Sequence, residues 1–245
     1  MKTPQYILCT AALAALGVAG QMHLSATSPV RAPAAGESIL AALGGLRSLA
    51  AEIVWFRMDR LQERGKYGEL VQLSSWLTFL EPHESEVWIY SAWNLAYNIS
   101  VRMPRAEDRW PWVHEAVKML RDRALKWNPD SASIYRELAF LFELKIGAAI
   151  DSAAPHYRLE WKKTVEDALS RGAWEELGMD AAIAARTARE EGIDDWTDPQ
   201  ASAIYWARLG LERSSAASLA KGKDGSFIRE TLRQARMLYA KNHGR

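Results

Sequence analysis

In the stretch Tyr135-Arg136-Glu137-Leu138-Ala139 the first residue is aromatic, the fourth is a leucine and the fifth is an alanine. The same order occurs in Trp206-Ala207-Arg208-Leu209-Gly210, and a shorter version joins Trp88 to Ala92. Side chains three and four residues apart lie on one helix face, so each stretch forms an apolar ridge that ends in a small residue. A second helix can pack closely against such a ridge. The sequence therefore predicts a helix-pair unit that occurs more than once.

Helix-ending prolines precede two of these three stretches. They occur in Leu80-Glu81-Pro82 and in Trp127-Asn128-Pro129. Proline lacks a backbone N–H and cannot continue a helix, so both segments are expected to close one. From Ile39 onward the apolar residues recur at helical spacing, and no run of alternating β-branched residues is present. We therefore expect an all-α chain without a sheet.

Some of these residues resemble the tetratricopeptide repeat family. In that family a glycine and an aromatic residue two positions later join helix A to helix B, and a proline closes helix B. Gly65, Tyr67 and Pro82 stand at the matching offsets, with Gly65 as the cap of a helix that starts near Ile39. The resemblance covers roughly residues 51–168. It implies a right-handed α-solenoid of about four degenerate helix pairs, the fourth being a fainter echo after Gln200.

One spacing departs from the family pattern. Pro82 and Pro129 are 47 residues apart (129 − 82), whereas the family period is about 34 residues. The surplus falls around residues 101–108, where we expect a loop between two helices. Residues 170–200 are helical in pattern but match no repeat.

Composition excludes several classes of function. The 245 residues include 31 basic and 30 acidic side chains, which leaves a formal net charge of +1 and no field that favours nucleic acid. Cys9 is the single cysteine, so the chain can form neither an internal disulfide nor a cysteine-based metal site. The histidines lack the spacing of a metalloprotease, and no glycine-rich phosphate loop or nucleophile elbow occurs. We therefore expect no cofactor, no metal and no catalytic residue.

The N-terminal segment is expected to lie outside the fold. Lys2 precedes an uncharged apolar run over residues 5–20, and this run is shorter than the roughly 20 residues that span a bilayer comfortably. Both a signal peptide cleaved near Gln21 and a retained membrane anchor fit this pattern. Residues 21–38 read as a linker, and residues 39–245 as the helical repeat domain. Either reading predicts a periplasmic or otherwise extracytoplasmic protein that contacts the membrane only through this segment.

Helix A residues that do not pack inward line a concave groove in repeats of this kind. By helical spacing we expect that surface to contain Trp55, Asp59, Glu86, Ile89, Trp93, Tyr97, Arg136, Phe140 and Glu143. Aromatic side chains flanked by an arginine and carboxylates suit an extended peptide or a partner helix. Asp59, Arg136 and Glu143 would set the orientation and register of the bound segment. The alternative is that Trp93, Tyr97 and Phe140 are core between neighbouring units.

Two further features are candidates for contacts. Trp110 and Trp112 cannot both face inward from one helical turn, so one of them is expected to be exposed or covered by the loop before it. That pair is a possible second contact site. Asn94 and Asn98 lie four residues apart, and we favour a structural role for these amides over a role in reading a bound peptide.

These observations predict a non-enzymatic interaction scaffold of the bacterial cell envelope. Its groove would bind a peptide or helix of a secretion, pilus or envelope complex. Two rival functions stay open: a helical enzyme that acts on cell-wall glycan with an unpaired glutamate such as Glu143, and a carrier of a small ligand or lipid. The linker at residues 21–38 is also a possible occupant of the groove.

Overall fold

The computed structural model of the protein describes residues 49–58, 60–61 and 63–245. The described residues form helices joined by turns and contain no β-strand, which confirms the all-α expectation. Among these helices none is long and apolar enough to cross a membrane. The predicted signal or anchor at 1–20 and the linker at 21–38 lie outside the described residues.

The chain divides into two compact units, residues 1–59 and residues 60–245. In the first unit the described residues 49–58 form a helix that includes Trp55. In the second unit the helices run in the following order: α1 Tyr67–Leu80; α2 Ser85–Trp93, Asn94–Ile99 and Ser100–Arg102; α3 Ala106–Lys118, Met119–Ala124 and Leu125–Trp127; α4 Ala132–Phe140 and Leu141–Ile146; α5 Ala154–Ser170; α6 Ala181–Glu191; α7 Pro199–Arg213; α8 Ala216–Ala220; α9 Asp224–Asn242.

The start of the second unit follows the sequence prediction closely. Gly65 has a φ of 66°, in the left-handed region that glycine adopts without a steric penalty. The N–H of Lys66 beyond it donates to the carbonyl of Leu61 at 2.9 Å. This arrangement confirms Gly65 as a C-terminal cap. The next helix begins at Tyr67 and ends at Leu80, before Pro82, as expected.

The expected loop at residues 101–108 is wrong in extent. Helix α2 continues to Arg102 and α3 already begins at Ala106, so only residues 103–105 are non-helical. Both helices, and α4 as well, contain a wider turn with i→i+5 hydrogen bonding, over Asn94–Ile99, Met119–Ala124 and Leu141–Ile146. Such a turn accommodates an extra residue within a helix. Most of the residues by which the Pro82–Pro129 spacing exceeds the family period therefore lie in helices and not in a loop.

Two of the three apolar ridges, those that begin at Trp88 and Tyr135, have the same hydrogen bond from the aromatic side chain to a proline carbonyl. Trp88 Nε1 donates to the carbonyl of Pro82 at 2.9 Å, and Tyr135 Oη donates to the carbonyl of Pro129 at 3.0 Å. In each case the aromatic side chain lies six residues after the proline. The helix-ending proline and the aromatic of the next helix thus form one local unit, which occurs twice.

The core of the second unit lies where α4, α7 and α9 pack against one another. Tyr135 on α4 contacts Trp206 on α7, with ring centroids 6.5 Å apart. Gly210 permits this approach, because a Cβ at that position would lie 2.5 Å from the Cβ of Tyr135. Helix α9 packs against both α7 and α4, and it forms one wall of the groove described next.

Candidate functional groove

Two neighbouring cavities form one groove on α2, α4 and α9. The first has a volume of about 370 Å³ and lies between α2, α4 and α9; the second has a volume of about 330 Å³ and lies between α2 and α4. The two share Trp93, Arg136 and Glu137. The first is also lined by Phe140, Glu143, Phe227, Glu230, Thr231 and Gln234, and the second by Glu86, Ile89, Tyr90, Asn94 and Asn98. We call this surface the groove.

Trp93 stands where the two cavities meet. Its side chain is 42% exposed, which is high for tryptophan in a helical domain. The ring packs on Tyr97, with centroids 4.6 Å apart, and Nε1 donates a hydrogen bond to the Glu137 carboxylate. Tyr97 itself lies behind Trp93 and is not among the lining residues. Burial, followed by the charges of Glu137 and Glu143, raises the pKa of Tyr97.

Glu137 is a buried carboxyl at the floor shared by both cavities. It is 3% exposed. Burial raises its pKa to about 7, and the charge of Glu86 adds to the rise, whereas the charge of Arg136 and the hydrogen bond from Trp93 lower it. Arg136 lies 4.0 Å from the second carboxylate oxygen, too far for a hydrogen bond. Near neutral pH this carboxyl therefore exchanges between its protonated and ionised forms.

Glu143 lies farther along α4, on the wall of the larger cavity. The residue is 8% exposed, and within the described part of the chain its carboxylate has neither an ion pair nor a hydrogen bond. Burial and then the charge of Glu230 raise the pKa of Glu143. The carboxylate oxygens still contact the solvent of the cavity, so a ligand that supplied a positive charge or a donor could pair with them directly and gain affinity.

Arg136 is already engaged within the protein. Its guanidinium pairs with Asp224 at the start of α9, and its Cζ lies 5.8 Å from the ring centroid of Phe227. Asp224 is 5% exposed, so the pair is largely shielded from water. Arg136 therefore fixes α9 against α4, and its charge is compensated before any guest arrives.

The sequence predicts nine residues for this surface, of which Ile89, Trp93, Arg136, Phe140 and Glu143 line the groove. Tyr97 supports Trp93 from behind. Trp55 belongs to the first compact unit, and Asp59 lies outside the described residues. Glu86, which we also assigned to this surface, lines the smaller cavity.

Sequence reasoning missed Glu137 and the whole wall formed by α9. Glu137 follows Arg136 directly, and we assigned only one of these adjacent residues to the surface. The wall on α9 consists of Phe227, Glu230, Thr231 and Gln234. No local signal in this segment indicates which helix it would pack against.

The two asparagines on α2 form their side-chain hydrogen bonds within this helix. Asn98 Nδ2 donates to Asn94 Oδ1 at 2.6 Å, and Asn94 Nδ2 donates to the carbonyl of Tyr90 at 3.1 Å. Their bonds stay within α2 and do not reach the segment at residues 103–105. Both asparagines line the smaller cavity, and the hydrogen bond between them lies within the wide turn of α2.

The possible second contact site is more covered than expected. Both Trp110 and Trp112 are partly buried and pack against the hydrophobic core. Trp110 stacks on His114, with ring centroids 5.1 Å apart, and also faces Tyr157. Neither indole is an exposed anchor for a partner.

A cluster of paired charges lies just beyond the groove on α4. Lys145 is 2% exposed, and its Nζ donates to Asp151 Oδ2 at 2.5 Å. Asp151 also accepts hydrogen bonds from Arg109, Tyr157 and the backbone N–H of Ala153. Burial raises the pKa of Asp151, but the bonds from Lys145 and Ala153 outweigh burial and hold it below its ordinary value. We call these residues the Lys145 cluster.

The described residues contain no group of three or more histidine, cysteine or acidic side chains arranged to hold a metal ion. Comparison with known protein families, curated proteins and solved structures returned no significant match to this chain.

Proposed function

We propose that the protein is a non-enzymatic docking scaffold of the bacterial cell envelope, whose groove binds a peptide or helix of a secretion, pilus or envelope complex. The observation that carries the proposal is the groove itself: two adjoining cavities with the half-exposed Trp93 at their junction. Aromatic side chains in a concave, partly apolar surface dominate the binding energy of many interfaces. A segment several residues long is needed to fill both cavities.

A repeated local contact supports this proposal. The proline-to-aromatic hydrogen bond occurs at Pro82 with Trp88 and again at Pro129 with Tyr135, and from this repetition we infer successive helix pairs of a degenerate tetratricopeptide solenoid. Solenoids present extended surfaces that bind partners. The apolar N-terminal run would place this domain on the outer face of the cytoplasmic membrane, either free after cleavage or anchored through residues 5–20.

Photo-crosslinking in native membranes tests the proposal. A benzophenone amino acid at Phe140 or Phe227 would lie in the larger cavity, and the same amino acid at Leu159 on α5 serves as an exposed control outside the groove. We expect both groove positions to crosslink one recurrent envelope protein that the Leu159 position does not. Equal labelling from all three positions, or no recurrent partner, would contradict docking in the groove.

A double variant separates docking from folding. Trp93→Ala with Phe140→Ala removes two aromatic walls that are only partly buried, so circular dichroism should show nearly unchanged helicity while the crosslinked partner is lost. If the double variant unfolds, the two side chains are core and the groove assignment fails.

A second candidate function is favoured by Glu137. A carboxyl whose pKa is raised to about 7 beside an aromatic wall suits a general acid, as in glycan hydrolysis. Release of soluble fragments from purified cell-wall glycan, lost in Glu137→Gln and in Glu143→Gln, would support the enzyme over the scaffold. No turnover by the wild-type protein would remove this candidate.

A further inference from the structure

The lining of the groove carries an excess of negative charge. Its acidic side chains are Glu86, Glu137, Glu143 and Glu230, whereas Arg136 is the only basic side chain among the described residues that line either cavity. Since Arg136 is already paired with Asp224 and lies 4.0 Å from Glu137, it balances the carboxyls that face the cavity only in part.

Two of these acids, Glu86 and Glu143, have no partner in the described residues, and of these two only Glu143 is buried. Glu230 bonds to Arg233 at 2.5 Å and to Gln234 at 2.9 Å, and Glu137 accepts from Trp93. Glu143 has no such bond in the described residues, although it is 8% exposed and lies on the cavity wall. A largely buried carboxylate that faces the cavity and has no partner in the protein is a site at which a cation from outside would gain affinity.

The walls around Glu143 suit the stem of a long cationic side chain. Trp93, Phe140 and Phe227 line the same cavity of about 370 Å³. The ring of Phe227 already has a guanidinium 5.8 Å from its centroid, that of Arg136. Aromatic faces attract guanidinium and ammonium groups, and Lys and Arg stems pack well on apolar surfaces.

We propose that this cavity receives an arginine or lysine side chain of the docked segment, with its charged head at Glu143 and its stem against Trp93, Phe140 and Phe227. The inference rests on the proposed docking function and adds the chemistry of the partner: an amphipathic segment with a basic residue among its apolar ones. Charge complementarity selects this occupant over an acidic or a purely apolar segment.

Matched peptides test the assignment. The probes are two fluorescein-labelled amphipathic peptides of twelve residues that share one apolar face. One carries arginine at its polar positions, and the other carries citrulline, a neutral isostere. Fluorescence anisotropy should show the arginine peptide binding the wild-type protein at least about tenfold more tightly. Glu143→Gln should remove most of that difference, whereas Glu166→Gln, which alters an exposed carboxylate on α5, should preserve it.

The outcomes separate this inference from the docking function. Equal affinity for the two peptides, or equal loss of binding in Glu143→Gln and Glu166→Gln, overturns the proposal that a basic side chain enters the cavity. Crosslinks from the groove would still support docking in that case. No binding by either peptide also overturns it. A preference for arginine that survives Glu143→Gln but is lost in Glu137→Gln would place the cation at the other carboxyl and overturn the role given to Glu143. A circular dichroism spectrum of each variant confirms that it is folded.

Discussion

Helix α4 contains buried charges of two kinds within a few residues. Toward the groove, Glu137 and Glu143 have few partners or none, and burial raises the pKa of both. Two residues beyond Glu143, Lys145 is also buried but is bound to Asp151, which has three further donors. Buried charges with a complete set of partners hold a fold together, whereas buried charges without them mark a surface that a ligand can complete.

The two regions should respond to pH in opposite directions. The pKa of Asp151 is lowered on folding, so its contribution to stability is present above its unfolded pKa and is lost as pH falls through the folded value. The pKa of Glu137 is raised on folding, so its contribution is present below its unfolded pKa and is lost as pH rises through about 7. At pH 8 the Lys145 cluster therefore stabilises the fold while the floor of the groove costs stability.

The largest effect is expected from Lys145→Met. The substitution keeps much of the apolar volume but leaves the buried Asp151 carboxylate without its closest cation. Removing one partner of a buried ion pair typically costs about 3–5 kcal/mol. Urea unfolding at pH 7 measures the loss, and the midpoint should fall sharply.

Lys163→Met on α5 is the matched control for that variant. Lys163 pairs with Glu160 at 2.6 Å, but its side chain is 59% exposed. Exposed pairs contribute about 0–1 kcal/mol, so the midpoint should barely move. A similar loss in both variants would show that the Lys145 cluster is no more important to the fold than a surface pair.

Glu137→Gln should change the pH dependence of stability. The glutamine still accepts from Trp93 but has no proton to lose. Because the pKa rises from 4.5 to about 7 on folding, the wild-type protein should lose about 3 kcal/mol relative to the variant as pH rises from 4.5 to 8.

Urea unfolding of both proteins at several pH values measures this difference. The variant should be close to wild type in stability at pH 4.5 and more stable at pH 8. If the difference between the two proteins is independent of pH, Glu137 titrates normally and the groove floor is not a strained site. Asp151→Asn should deviate from wild type in the opposite sense, with its largest deficit above pH 5.

The sequence contains enough local information to predict the helices and part of the groove. Gly65, the proline stops and the aromatic ridges act through contacts within a few residues, so helix type and the bounds of α1 follow from the pattern. Regular helical spacing places Ile89, Trp93 and Phe140 on the groove, because α2 and α4 are regular α-helices up to Trp93 and Phe140. Glu143 lies inside the wide turn of α4 and still lines the groove.

What the sequence could not supply depends on distant packing. The wall on α9 and the Arg136–Asp224 pair join residues about ninety positions apart, and no periodicity encodes that pairing. The wide turns at Asn94–Ile99 and Leu141–Ile146 also rotate the residues that follow them. Straight helical spacing therefore placed Tyr97 in the groove, where the structure has it behind Trp93.

Trp93→Phe tests whether the indole N–H lowers the pKa of Glu137. Phenylalanine keeps an aromatic wall but removes the donor that lowers the Glu137 pKa, so that pKa should rise further. Loss of one hydrogen bond to a charged group should cost about 1–2 kcal/mol of stability at pH 8. A ¹³C NMR titration with labelled glutamate measures the pKa, and Glu137→Gln assigns the signal. An unchanged pKa would show that Trp93 does not hold this carboxyl.

The smallest effect on stability is expected from Glu143→Gln. The substitution relieves the desolvation of a carboxylate and its repulsion by Glu230, so the variant should be slightly more stable than wild type at pH 8, by less than Glu137→Gln. Urea unfolding measures the change, with Glu166→Gln as the exposed control. The sign of the stability change is decisive, because Lys145→Met, only two residues away, should lower the stability of the fold while Glu143→Gln should raise it. If Glu143→Gln instead lowers the unfolding midpoint as Lys145→Met does, Glu143 has a partner that stabilises the fold. The groove would then be a packed seam between helices with no unsatisfied charge to offer a guest.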